Sequence, residues 1–92
     1  MTATHRLRMR AEKIVDEVEN RIRDEGGEVI GTITEIRRYL GIDCLNSELR
    51  EALSILCSPE QGRLRGAPLD ALSQSRGLPY KMYRYVLVSV YA

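Results

Sequence analysis

The side chains with the most evident chemistry in this sequence are its arginines. Twelve arginines and two lysines stand against thirteen acids, a formal net charge of +1 that conceals a strong segregation. Residues 1–13 carry Arg6, Arg8, Arg10 and Lys13 against Glu12, a sum of +3, and residues 61–92 carry Arg63, Arg65, Arg76, Lys81 and Arg84 against Asp70, a sum of +4. Between them, residues 14–28 sum to −4 and residues 29–60 to −2. Guanidinium groups match phosphate oxygens in geometry and charge, and segregation of this kind aims a protein at a polyanion even when its total charge does not.

Other chemistry is poorly supplied. There is a single histidine, His5, and no G-x-S-x-G, no P-loop and no paired carboxylates in a likely cleft. Asp16, Glu17 and Glu19 read as the solvated face of a helix, so no catalytic function is expected. Cys44 and Cys57 are too few for a disulfide framework and, with one distant histidine, too few for a zinc site. They read as two reduced thiols in or near the core. No metal, cofactor or small-molecule ligand is expected.

The elements that position the arginines must fit in 92 residues, enough for one domain with a modest core. A charged fraction of 29% and an apolar fraction of 43% are those of a folded soluble domain. No apolar run reaches the roughly 18 residues of a membrane span, and the basic start has no apolar stretch behind it to make a secretory signal. The cytoplasm is the expected compartment.

Residues 6–25 read as a helix, with Leu7, Ala11, Ile14, Val15, Val18 and Ile22 on one stripe and Gly26-Gly27 as its stop. A short extended piece, residues 28–31, follows. Thr32 then opens a second helix with Glu35 at capping-box spacing; Ile33, Ile36, Tyr39 and Leu40 face inward, and Gly41 ends it. A third helix runs from about residue 46 or 47 to 57, with Leu49, Ala52, Leu53 and Leu56 inward and Ser58-Pro59 closing it. Beyond Gly62 the period becomes two. Arg63-Leu64-Arg65 reads as a strand broken by Gly66 and Pro68, residues 69–79 as a loop, and Tyr80–Tyr91 as a second strand whose Val86/Val88/Val90 face closes the core.

This order, with Glu35-Ile36 and Leu40-Gly41 in the second helix, Leu49, Ala52-Leu53 and Leu56 in the third, and Gly62 and Leu64 leading into a hairpin, resembles the winged helix-turn-helix DNA-binding family over about residues 12 to 90. The resemblance implies an α+β winged helix: a three-helix core with a C-terminal antiparallel wing of two to three strands, in a single domain over residues 1–92. Residues 1–8 are open to two readings, a flexible basic arm or a frayed helix start.

It further implies a third helix, about 46–57, lying in the major groove of double-stranded DNA, with the wing, 63–84, on the backbone or minor groove. On that helix Asn46, Ser47, Arg50 and Ser54 suit base edges or phosphates. Glu48 and Glu51 oppose phosphate unless they accept from a cytosine amino group or pair with Arg50. On the wing, Arg63 and Arg65 leave one face, Arg76 stands near the tip, and Lys81 and Arg84 return on the second strand. The expected role is a small dimeric transcriptional regulator. The homodimer would use the first helix, through Leu7, Met9 and Val18, or the Tyr85-Leu87-Ser89-Tyr91 face of the last strand. The rival reading is a winged-helix protein-interaction module, a phage or mobile-element accessory factor, served by the acidic middle of the chain.

Overall fold

The structure, a computed structural model, describes residues 3–69, 77 and 81–88. The chain is α+β, with helices α1 (Ala3–Asp24), α2 (Ile33–Leu40) and α3 (Asn46–Cys57) and strands β1 (Glu28–Gly31), β2 (Leu64–Pro68) and β3 (Tyr83–Leu87). The strands form an antiparallel sheet in the order β1-β3-β2.

Local signals set the helix limits. At the end of α1 the Gly26 N–H donates to the carbonyl of Arg23 and the Gly27 N–H to that of Ile22, which satisfies two carbonyls that the helix leaves open. Thr32 and Glu35 make a reciprocal capping box: the Glu35 N–H donates to Thr32 Oγ1 at 3.2 Å, and the Thr32 N–H to Glu35 Oε1 at 3.1 Å. Gly41, at φ +68°, takes the left-handed position that ends α2. Leu45 has no side-chain oxygen with which to cap α3, and Glu48 reaches back instead, accepting the Leu45 N–H at 2.8 Å. Ser58 stops α3 in an extended conformation, as the following Pro59 requires.

The core lies between the helices and one face of the sheet. Val18 and Ile22 of α1, Ile36 of α2, and Leu49, Leu53 and Leu56 of α3 are fully buried, and Val29, Leu64 and Tyr85 meet them from the three strands. Of the expected α1 stripe Ala11, Val18 and Ile22 are buried and Ile14 and Val15 pack against the core, while Leu7 does not; the inward set of α3 is the one expected from periodicity, with Ile55 added.

Four expectations are corrected. Helix α1 begins at Ala3, ahead of the expected start at residue 6. Tyr39 is 61% exposed, because the buried stripe of α2 is completed by Ile33, Ile36 and Leu40 alone. Strand β2 continues through Gly66 and Pro68 instead of breaking there. A strand next to only one neighbour tolerates a proline whose missing N–H would have pointed away from that neighbour.

The fourth correction concerns β3. Tyr85 is buried and Tyr83 and Leu87 pack against the core, whereas Val86 lies on the other face. Alternation makes this a reversal of every side chain in the strand. Its cause is opposite Tyr85 on β2, where Gly66 leaves room for the phenol ring. A Cβ at Gly66 would lie 2.6 Å from Tyr85 Cε1 and 2.8 Å from Cδ1. Of the residues expected at a dimer surface, Val18 is buried and Tyr85 and Leu87 turn inward, whereas Met9 of α1 is 42% exposed. Tyr80, Val90, Ser89 and Tyr91 lie outside the described residues.

Gly66→Ala therefore overfills the space beneath Tyr85, and a loss of about 1–3 kcal/mol is expected, as for other overpacked sites. The urea midpoint of the variant checks this. Ala67→Gly, on the exposed side of the same strand, is the control, with a smaller loss and no clash.

Candidate functional site

Helix α3 presents three different edges. Leu49, Ala52, Leu53 and Leu56 point into the core. On one flank Glu48 and Glu51 face α1, where Arg10 Nη1 stands 3.9 Å from Glu48 Oε2 and Arg8 Nη1 stands 3.7 Å from Glu51 Oε1. These carboxylates do not pair with Arg50. They are met by Arg8 and Arg10 of the N-terminal basic cluster. On the other flank Asn46, Arg50 and Ser54 follow one another at four-residue steps and border the β2–β3 hairpin.

That second flank forms a groove of two adjoining concavities. The first, of about 360 Å³, is lined by Thr32, Thr34, Asn46, Arg50, Lys81 and Tyr83, together with Ile33. The second, of about 250 Å³, is lined by Arg50, Ser54, Cys57, Gly66, Pro68 and Tyr85, with Ala67 and Tyr83. Arg50 and Tyr83 belong to both, and among the described residues that line them there is no carboxylate. Tyr83 and Tyr85 stack at a ring separation of 6.0 Å and form the floor on the hairpin side. Burial pushes the Tyr85 phenol up to about 12, with smaller contributions from Cys57 and Tyr83, so it stays neutral at working pH. Burial likewise raises the Cys57 thiol, which makes it a packing group rather than a nucleophile.

The residues expected at a site divide into four groups. Asn46, Arg50, Ser54 and Lys81 come together in the groove, and Ser47 lies exposed at the start of α3 beside Arg6 and Arg10. Asn46 is already committed: its Oδ1 accepts from Arg37 Nε at 2.6 Å and its Nδ2 donates to Thr34 Oγ1 at 2.9 Å. It fixes the start of α3 to α2. Thr34 and Arg37 were not singled out from sequence. The signal available was their three-residue spacing on α2, which places both on the side where α3 begins.

Arg65 and Arg84 form the second group. Both lie on the outer face of the sheet, away from α3, because the residues next to them in the chain, Gly66 and Tyr85, face inward. Arg84 Nη2 donates to Glu28 Oε2 at 2.9 Å, a diagonal pair between β3 and β1. The third is Arg63, which does not join Arg65 on one face of a wing. It sits at the root of the hairpin and reaches α1, with Nε donating to Glu19 Oε2 at 2.8 Å and Nη2 to Asp16 Oδ1 at 2.7 Å and Glu19 Oε1 at 2.9 Å. The fourth is Arg76, which lies outside the described residues. Arg50, Arg65 and Lys81 make no ion pair among the described residues.

The hydrogen bond from Arg63 holds the Glu19 carboxyl below its ordinary value of 4.5, against a smaller desolvation effect. A carboxyl with a depressed value in the folded state stabilises the fold above its unfolded value, and that stability is lost as pH falls through the folded value. Arg63→Gln is therefore expected to lower the urea midpoint at pH 7 and to flatten its decline below pH 4.5. Urea titrations of both proteins between roughly pH 7 and pH 3 give the comparison.

Among the described residues no group of three His, Cys, Asp or Glu side chains is placed to hold a metal ion, and no helix is long and apolar enough to cross a membrane. No protein-family model, no curated protein and no solved structure matches this chain.

Proposed function

We propose that this chain is a winged-helix domain that binds double-stranded DNA as a transcriptional regulator, with the groove-side edge of α3 toward the major groove and the β2–β3 hairpin beside the backbone. The element order and the sheet order β1-β3-β2 are compatible with that architecture. The observation that carries the reading is the sorting of charge on α3. Its two carboxylates are turned to α1 and met by Arg8 and Arg10, while its other edge joins Arg50 to Lys81 across a groove with no carboxylate among its described lining.

Arg50 is the residue for base readout. Its guanidinium is unpaired among the described residues and stands midway along the groove, where a bidentate contact to guanine O6 and N7 is the strongest that one side chain supplies. Lys81 supplies a phosphate contact, and Ser47 and Ser54 offer hydroxyls to phosphate or base edges. Asn46, tied to Arg37 and Thr34, orients α3 rather than reading adenine. Arg63 and Arg84 are spent within the fold, which leaves the hairpin with fewer phosphate contacts than its sequence promises. Helix α3 is a weaker acidic surface for a protein partner than its sequence indicates, since Glu48 and Glu51 are met by arginines from α1.

Fluorescence anisotropy on a labelled duplex, from roughly 50 to 200 mM salt, tests the proposal. Affinity is expected to fall linearly with salt on logarithmic axes. Arg50→Ala should weaken binding about tenfold or more, and Lys81→Ala should reduce the salt slope by roughly one. Arg84→Gln should leave the slope almost unchanged. Absence of binding at low salt, or equal effects of all three substitutions, overturns the reading.

A further inference from the structure

We infer that β1 is the dimerisation element of this protein, pairing antiparallel with β1 of a second copy about a two-fold axis at Val29. The inference is independent of nucleic-acid binding and stands on the sheet edge alone.

The register fixes which main-chain groups that edge offers. β1 pairs with β3 so that Glu28, Val29, Ile30 and Gly31 oppose Val86, Tyr85, Arg84 and Tyr83. The Leu87 N–H donates to the Gly27 carbonyl at 2.8 Å, so 27 and 87 are a hydrogen-bonded pair in this register. Antiparallel ladders alternate bonded and non-bonded pairs. Val29 and Gly31 therefore turn their N–H and C=O toward β3, while Glu28 and Ile30 turn theirs away from the sheet. Two donors and two acceptors line an open edge.

The other edge is different. On β2 the Val88 N–H donates to Arg63 O and the Leu69 N–H to Met82 O, which leaves Leu64, Gly66 and Pro68 facing outward. Pro68 has no N–H to offer, a common means of blunting an edge strand. Among the described residues β1 carries no proline and no strand lies beyond it. It bears Ile30, 48% exposed, beside Tyr39, 61% exposed, and these are two of the four large apolar side chains exposed among the described residues. They flank a cleft of about 290 Å³ that runs along Glu28, Val29 and Ile30.

A second copy fits this edge because the edge is complementary to itself. With the axis at Val29, Glu28 of one copy opposes Ile30 of the other, and both residues carry outward N–H and C=O groups, so two bonded pairs form. Each carboxylate then lies across from an isoleucine rather than from its own equivalent, which avoids like charges in register. Glu28 keeps its own Arg84 on the same face. The product is a closed, isologous pair with a continuous six-stranded sheet.

The test is sedimentation of the full chain without nucleic acid, from about 1 μM to about 1 mM, the span over which weak association is resolved. Two variants accompany it. Ile30→Pro removes an outward N–H that the monomer does not use, and Ile30→Lys places a charge at an already exposed position. Both should fold and both should weaken association about tenfold or more. Amide hydrogen exchange locates the contact: in the wild-type dimer the Glu28 and Ile30 amides should be protected, and in either variant Glu28 should exchange freely. A chain that stays monomeric throughout overturns the inference. So does a dimer that both variants leave intact, or one in which the Glu28 and Ile30 amides exchange as in the monomer.

Discussion

Leu49, Leu53 and Leu56 of α3 have no exposed surface, and that burial fixes the rotation of the helix about its own axis. Side chains at these spacings cover a narrow stripe, so turning the helix by even one residue's angle would draw leucine into water and push a polar residue into the core. With the rotation set, the rest of the surface is assigned without further choice. Glu48 and Glu51 fall toward α1 and Asn46, Arg50 and Ser54 toward the hairpin. The charge sorting that supports the functional reading is thus a consequence of apolar packing. The Asn46 bonds to Arg37 and Thr34 add a polar lock at the end of α3 where burial is least complete.

The sheet is governed by a second steric fact, the contact between Gly66 and the Tyr85 ring. It decides which face of β3 is inward, and through the register it decides the same for β1 and β2. The strand could be read from its β-favouring residues, but its phase could not. Tyr83, Tyr85 and Leu87 alternate with Arg84 and Val86, and either set contains residues fit for a core. A glycine in the neighbouring strand breaks the tie, and its effect depends on a pairing that no local pattern specifies. The helices were legible for the opposite reason. Thr32 with Glu35, Gly41 and the paired Gly26-Gly27 act within a few residues of themselves, so their meaning survives without knowledge of the fold.

The candidate site was legible in part, and the division has a physical logic. Arg50, Ser54 and Lys81 meet because helix and hairpin follow from the order of elements. The engagement of Arg63 is not legible in the sequence, because its guanidinium finds Asp16 and Glu19, 47 and 44 residues earlier in the chain. A long side chain is not confined to the face from which its Cβ departs. The partners of Glu48 and Glu51 are hidden for the same reason, since they lie on α1 in what sequence presents as a separate basic segment. Charge totals by segment describe the chain, whereas charge as a ligand meets it is defined only after such pairs are removed.

The Arg63 contact has a mechanical meaning as well. It fastens the root of the hairpin to α1 and not to α3, while the Tyr85 ring rests on Gly66 close to Cys57 of α3. The hairpin is in effect a cantilever with a clamp at its base and a bearing partway along. The two helices thus share the support of the hairpin, α1 at its root and α3 partway along.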